Sequence, residues 1–202
     1  KTKRSFSLRS FTGYSLIYAV GSISLLSTDV LLARYFLTGH LSGIYSSVAV
    51  IGRTIYFGLG PLIGLVLPIA SHRHSLSGSS KSVFEKLGGA ILILGIIATG
   101  IFVLFPNFII SLVSGANYLE ATGYLPLFAI TMLLFSLNLF LINYLMAIGR
   151  PRINFYLLIA ALVQPVLISL FHTSLSQIVW SNLLLEMALF IPLLWHVQKS
   201  KL

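Results

Sequence analysis

The sequence has no cysteine. That excludes a disulfide frame, thiolate chemistry and any Cys-ligated metal. Charge is scarce as well: 8% of the 202 residues are Asp, Glu, Lys or Arg, against 57% hydrophobic. A soluble domain carries about 25% charge, so this composition excludes a water-facing globular surface. Disorder is excluded too, because it requires low hydrophobicity. Acids are scarcest of all, with 4 Asp+Glu against 13 Lys+Arg and a net charge of +9. On a soluble protein such an excess points to nucleic acid. Here it has a topological explanation.

What the chain does have is long uncharged runs. Ser10–Thr28, Thr54–His72, Leu87–Leu119, Ala121–Gly149 and Ile153–Leu185 contain no Asp, Glu, Lys or Arg. A spanning helix needs about 20 mainly apolar residues. Turn signals divide the longer runs: Pro106-Asn107, Ser114-Gly115-Ala116-Asn117 and His172-Thr173-Ser174-Leu175-Ser176. The pattern predicts an all-α, polytopic six-helix transmembrane bundle. Its helices are expected at about 12–36, 43–70, 83–105, 123–147, 153–171 and 176–196. Nothing alternates as the strands of a membrane barrel would.

Basic residues set the orientation. Lys1, Lys3, Arg4 and Arg9 precede span one. Arg73, Lys81 and Lys86 follow span two. Arg150 and Arg152 follow span four, and Lys199 and Lys201 close the chain. The opposite loops, about 37–42, 106–122 and 172–175, hold no Lys or Arg. Both termini are therefore expected on the cytoplasmic side of the cytoplasmic membrane, with Ser75–Ser82 as a flexible cytoplasmic loop. This arrangement removes the argument for nucleic acid as a partner. A first residue other than Met suggests that the 202 residues are one bundle from a longer chain.

Four charged residues fall inside spans: Asp29, Arg34, Arg53 and Glu186. A mid-bilayer charge costs ~2.5–3.5 kcal/mol on insertion scales, so it faces a partner or a wet cavity. At ~1.5 Å per residue, Asp29 lies ~7 Å and Arg53 ~5 Å to the outer side of the midplane. They share a depth on adjacent helices. Two readings follow: a hydrated cavity in which Arg53 meets an anion balanced by Asp29 or Glu186, or a structural ion pair. Arg34 is expected to snorkel to the outer headgroups. Glu186 is either a hydrogen-bonded structural carboxyl or a proton relay.

Among uncharged polar residues, Asn138, Asn143 and Gln164 are expected to bond across helices, with ligand binding as the alternative for the two asparagines. Tyr18, Tyr45, Tyr56 and Tyr144 are candidates to line a cavity for sugar rings. Tyr35, Tyr118, Trp180 and Trp195 fit interface anchors. Pro61 and Pro68 predict a kinked second span. Gly60 and Gly64 form a G-x-x-x-G, which predicts close helix packing there. No H-E-x-x-H, G-x-S-x-G or P-loop is present, and no carboxylate cluster accompanies the histidines. Neither a metal, a cofactor nor an enzymatic role is expected.

Three stretches, taken in order, resemble a known family. They are TDVLLARYFLTGHLSGIYSSVAVIGR at residues 28–53 with Leu67-Pro68-Ile69-Ala70-Ser71 after it; Leu104-Phe105-Pro106 through Ile109, Ile110, Leu112, Gly115, Tyr118, Ala121 and Leu125; and Ala147-Ile148-Gly149-Arg150-Pro151-Arg152. Together they resemble the polysaccharide-exporter branch of the multidrug/oligosaccharidyl-lipid/polysaccharide flippase superfamily. The resemblance implies two six-helix bundles related by an axis along the membrane normal, of which this chain would be the C-terminal one. Its partner would be the missing N-terminal lobe or a second copy. It implies alternating-access transport of undecaprenyl-phosphate-type linked saccharides among membrane lipids, with Arg53 at a position where such carriers place a basic residue. Two alternatives stand beside it: a multidrug or cation antiporter of the same superfamily, which would use Asp29 and Glu186, and a non-transporting membrane subunit of a polysaccharide assembly complex.

Overall fold

The computed structural model describes residues 8–77 and 80–200. Lys1, Lys3, Arg4 and Lys201, used above for orientation, lie outside the described residues. The described chain is all-helical, and six of its helices are long and apolar enough to cross a membrane. This is a multi-pass membrane protein. The helices are α1 (Leu8–Phe36), α2 (Gly39–Ser77), α3 (Lys81–Leu104), α4 (Pro106–Val113), α5 (Leu125–Ala147), α6 (Asn154–Leu170) and α7 (Leu175–Lys199). Short 3-10 segments at Ala116–Gly123 and Pro151–Ile153 lead into α5 and α6.

Predicted and observed spans agree except at their ends. Helix α2 starts before residue 43 and runs past residue 70 to Ser77. That consumes part of the loop expected at Ser75–Ser82, of which residues 78 and 79 lie outside the described part. It passes through Pro61 and Pro68 as one helix. Each proline removes a single donor, and the neighbouring turns still carry the ladder. The segment 106–122, expected as a loop, is instead α4 followed by a 3-10 turn. Pro106-Asn107 does mark the end of α3. A proline also suits the first turn of a new helix, where the missing N–H would be unsatisfied anyway, and Pro106 occupies that place in α4. Gly115, with φ of 86°, then reverses the chain in a region glycine enters without strain.

Helix α5 is the pillar of the bundle. Its apolar span is 67% buried, against 17% for α3, the span least covered by its neighbours. It packs on α2, α3 and α7, while α1 leans on α6, and α6 on α7. The helices close a ring in the order α1, α2, α3, α5, α7, α6, with the α2–α5 contact cutting across it. The glycines that let helices approach are not those of the G-x-x-x-G. Gly52 lies under the Phe128 ring and Gly95 under Leu133, leaving no room for a Cβ. Gly60 and Gly64 face nothing within 4 Å. The expected packing at Gly60 and Gly64 is thus absent within this bundle, because α2 turns that side away from α5.

Candidate functional site

The site is built at the crossing of α1 and α2. Asp29 is on α1, 2% exposed. Its Oδ1 receives the Arg53 Nη2 of α2 at 2.6 Å and the Val30 backbone N–H at 2.8 Å. Its Oδ2 receives the Tyr45 hydroxyl at 2.8 Å. Tyr45 and Arg53 are both on α2 and both turn toward α1. An ion pair, one of the two readings of these charges, therefore exists, with Arg53 and Asp29 side chains 13% and 3% exposed.

The pair continues into a chain of amides. Asn182 of α7 donates to the Tyr45 hydroxyl at 3.1 Å. Gln164 of α6 donates to Asn182 Oδ1 at 2.8 Å and to the Leu25 carbonyl of α1 at 3.1 Å. One polar thread thus ties α1, α2, α7 and α6, then returns to α1. Gln164 was expected to bond across helices and does. Asn182 was not foreseen, although a signal was there: it stands four residues before Glu186, so both polar groups share one face of an apolar helix. The thread leaves Arg53 Nε and Gln164 Oε1 buried without a hydrogen-bond partner among the described residues.

Glu186 is elsewhere and is housed differently. Asn138 of α5 donates to its Oε2 at 2.7 Å and to its backbone carbonyl at 3.0 Å. Among the described residues no cation pairs with it. Asn138 is fully buried, and its Oδ1 has no hydrogen-bond partner among the described residues. Asn143 also serves helix packing, donating to Tyr18 on α1 at 2.9 Å and to the Leu139 carbonyl.

Two clefts open along α2, one beside Arg53 between α1 and α2 and one that runs from Arg34 of α1 across α2 to the end of α4 and the 3-10 turn after it. The deeper one, about 380 Å³, is lined by Ile23, Leu26, Ser27, Val50, Arg53 and Phe57. The outer one, about 450 Å³, includes Arg34, Ser46, Ser47, Val50, Ser114 and Tyr118. Val50 is common to both. Of the residues expected around a cavity, Arg53 alone lines either cleft. Asp29 lies behind it, and Glu186, Asn138 and Asn143 are in the bundle interior.

The four tyrosines expected to face sugar rings also line neither cleft. The reason is that helix neighbours already hold them. Tyr45 serves Asp29, Tyr18 accepts from Asn143, and Tyr144 accepts from Ser80 at 3.1 Å. Tyr56 sets its ring edge-on to Phe135, with centroids 5.1 Å apart. The expected anchors Tyr35, Tyr118, Trp180 and Trp195 are all exposed. Among the described residues no group of His, Asp and Glu is arranged to hold a metal.

No family model, curated protein or solved structure matches the chain.

Proposed function

We propose that this chain is a lobe of a membrane transporter that carries an anionic amphiphile, of the lipid-linked saccharide class, across the cytoplasmic membrane by alternating access. In this reading both termini are cytoplasmic, and a second six-helix unit, another lobe or another copy, completes the path. The chain then has no enzymatic role. The reading draws on the resemblance of residues 28–53, 104–125 and 147–152 to the polysaccharide-exporter branch. One observation carries it: Arg53 lines the deep α1–α2 cleft while its other side is tied to Asp29.

A bare cation at that depth would be expensive. Paired with Asp29 it is tolerated, yet it stays available to the cleft. An anionic headgroup entering there competes with Asp29 for the guanidinium, whose fork suits phosphate oxygens. Asp29 keeps the guanidinium within charge-balancing reach during the exchange. It keeps the Tyr45 hydroxyl and the Val30 N–H. The antiporter alternative keeps one specific support, the buried Glu186 with no cation paired to it among the described residues.

The test is export of a fluorescent lipid-linked saccharide, against a cationic dye, in cells that depend on this protein. Membrane levels of the protein are quantified in parallel. Wild type moves the saccharide and not the dye. Arg53→Lys retains partial transport, since it keeps the charge but not the bidentate fork. Asp29→Asn with Arg53→Gln restores a neutral, folded site and transports nothing. Full transport by that double variant, or transport of the dye alone, would overturn the reading. Orientation is checked with single cysteines, which report alone because the chain has none. Ser82→Cys labels from the cytoplasm and Asn117→Cys from outside; the opposite pattern contradicts the topology.

A further inference from the structure

The outer cleft does not belong to the Asp29–Arg53 thread, and its lining has a chemistry of its own. Arg34, near the end of α1, is exposed and forms no ion pair among the described residues. Glu120, on the 3-10 turn after α4, pairs with His40 at 3.2 Å. Around Arg34 stand the hydroxyls of Ser46, Ser47, Ser114 and Tyr118. Several of these are already oriented. Ser46 gives its proton to the Ser42 carbonyl at 2.8 Å, and Ser47 and Ser114 are bonded to each other. Such hydroxyls keep lone pairs for an incoming donor. Gly43 keeps the floor low, and a Cβ there would meet the Tyr118 ring at 3.6 Å.

Depth gives the cleft its meaning. Helix α2 descends from Gly39, so the outer cleft lies at the membrane interface. From Ser46 to Arg53 is ~10 Å along the axis, and the lining changes over that distance. The exposed cation and the hydroxyls give way at Val50 to a mostly apolar lining of Ile23, Leu26 and Phe57, in which Ser27 and the Asp29-paired Arg53 are the polar members. A lipid anchored in that leaflet has the same order, with its headgroup at the interface and its chain toward the midplane. Soluble anions have no use for the apolar half.

We propose that the two clefts form one groove for a single anionic lipid bearing a phosphate headgroup. Its phosphate rests on Arg34, a protonated phosphate oxygen donates to the hydroxyls of Ser46, Ser114 or Tyr118, and its chain lies on Leu26, Val50 and Phe57. The groove does not depend on transport: a non-transporting membrane protein with the same lining would hold the same lipid.

The test uses the purified full chain in detergent, with native mass spectrometry after adding phosphatidic acid or phosphatidylcholine. Wild type retains one phosphatidic acid in preference to phosphatidylcholine. Arg34→Gln weakens that retention about tenfold, the scale of one charge-assisted contact. Arg34→Lys falls between. Gly43→Leu leaves every charge in place and fills the floor, so it also loses the lipid; this separates a groove from a general attraction to positive charge. Arg152→Gln, far along the chain on the 3-10 turn before α6, changes nothing. Two outcomes would overturn the proposal: wild-type retention by both Arg34→Gln and Gly43→Leu, or displacement of phosphatidic acid by inorganic phosphate at equal concentration.

Discussion

Asp29 and Glu186 are 2% and 5% exposed, yet they are housed in different ways. Asp29 has a cation, a phenol and a backbone amide around its two oxygens. It stands one residue behind a cleft. Glu186 has one amide partner, Asn138, and lies between the two best-buried helices. The difference teaches how a bilayer protein stores a polar group. Beside Asp29 the charge is balanced locally, and an exchangeable partner faces open space. Beside Glu186 a hydrogen bond does the work, and nothing in the arrangement asks for a counter-ion.

Magnitudes follow from that contrast. Leaving one buried charge without its partner costs about 3–5 kcal/mol. An interhelical hydrogen bond in a membrane protein averages only ~0.6 kcal/mol. The largest effect is therefore expected from Arg53→Ala, which strands Asp29. Folded protein in the membrane should fall sharply. Adding Asp29→Asn should recover most of it, since no unpaired charge remains. Recovery is read as the yield of monodisperse protein after detergent extraction. No recovery in the double variant would mean that the pair holds the bundle by more than charge balance.

A middle effect tests the packing around the site. Gly52→Val drives a side chain into Phe128, and overpacking of this kind costs about 1–3 kcal/mol. Gly60→Val, on the same helix but facing nothing within 4 Å, should leave the thermal midpoint of the isolated chain unchanged. Equal losses at both positions would show that the α2 face at Gly60 is covered after all.

Much of this was legible before any coordinates. Absence of charge delimits spans because an unbalanced charge is expelled from hydrocarbon, so all six helices were found, five within a few residues of their ends and α2 running on from residue 70 to Ser77. The Asp29–Arg53 pair was legible from depth, since two opposite charges at one level on adjacent helices have few other solutions. Which way a helix turns was not legible. Helix α2 is apolar on most sides, so no hydrophobic stripe tells which glycines meet α5. The G-x-x-x-G at Gly60 and Gly64 accordingly pointed to the wrong face, and Gly52 carries the close approach. The Asn182–Gln164 thread was hidden for a related reason. Single amides in apolar helices signal a bond across helices but do not name its partner. Likewise Pro106 ended one helix, as read, and also began another.

The account rests on the claim that these two buried acids differ in kind, and acid-to-amide replacement tests it most directly. Asp29→Asn removes the charge that balances Arg53 and should lose several kcal/mol, about 3–5 by the cost of an unpaired buried charge. Glu186→Gln still offers an oxygen to Asn138 and should lose less than about 1 kcal/mol, no more than a single interhelical bond. The measurement is the denaturation midpoint of both variants, purified side by side in the same detergent. The predicted result is a large drop for Asp29→Asn and a near-native value for Glu186→Gln. Equal drops, or the reverse order, would contradict the account.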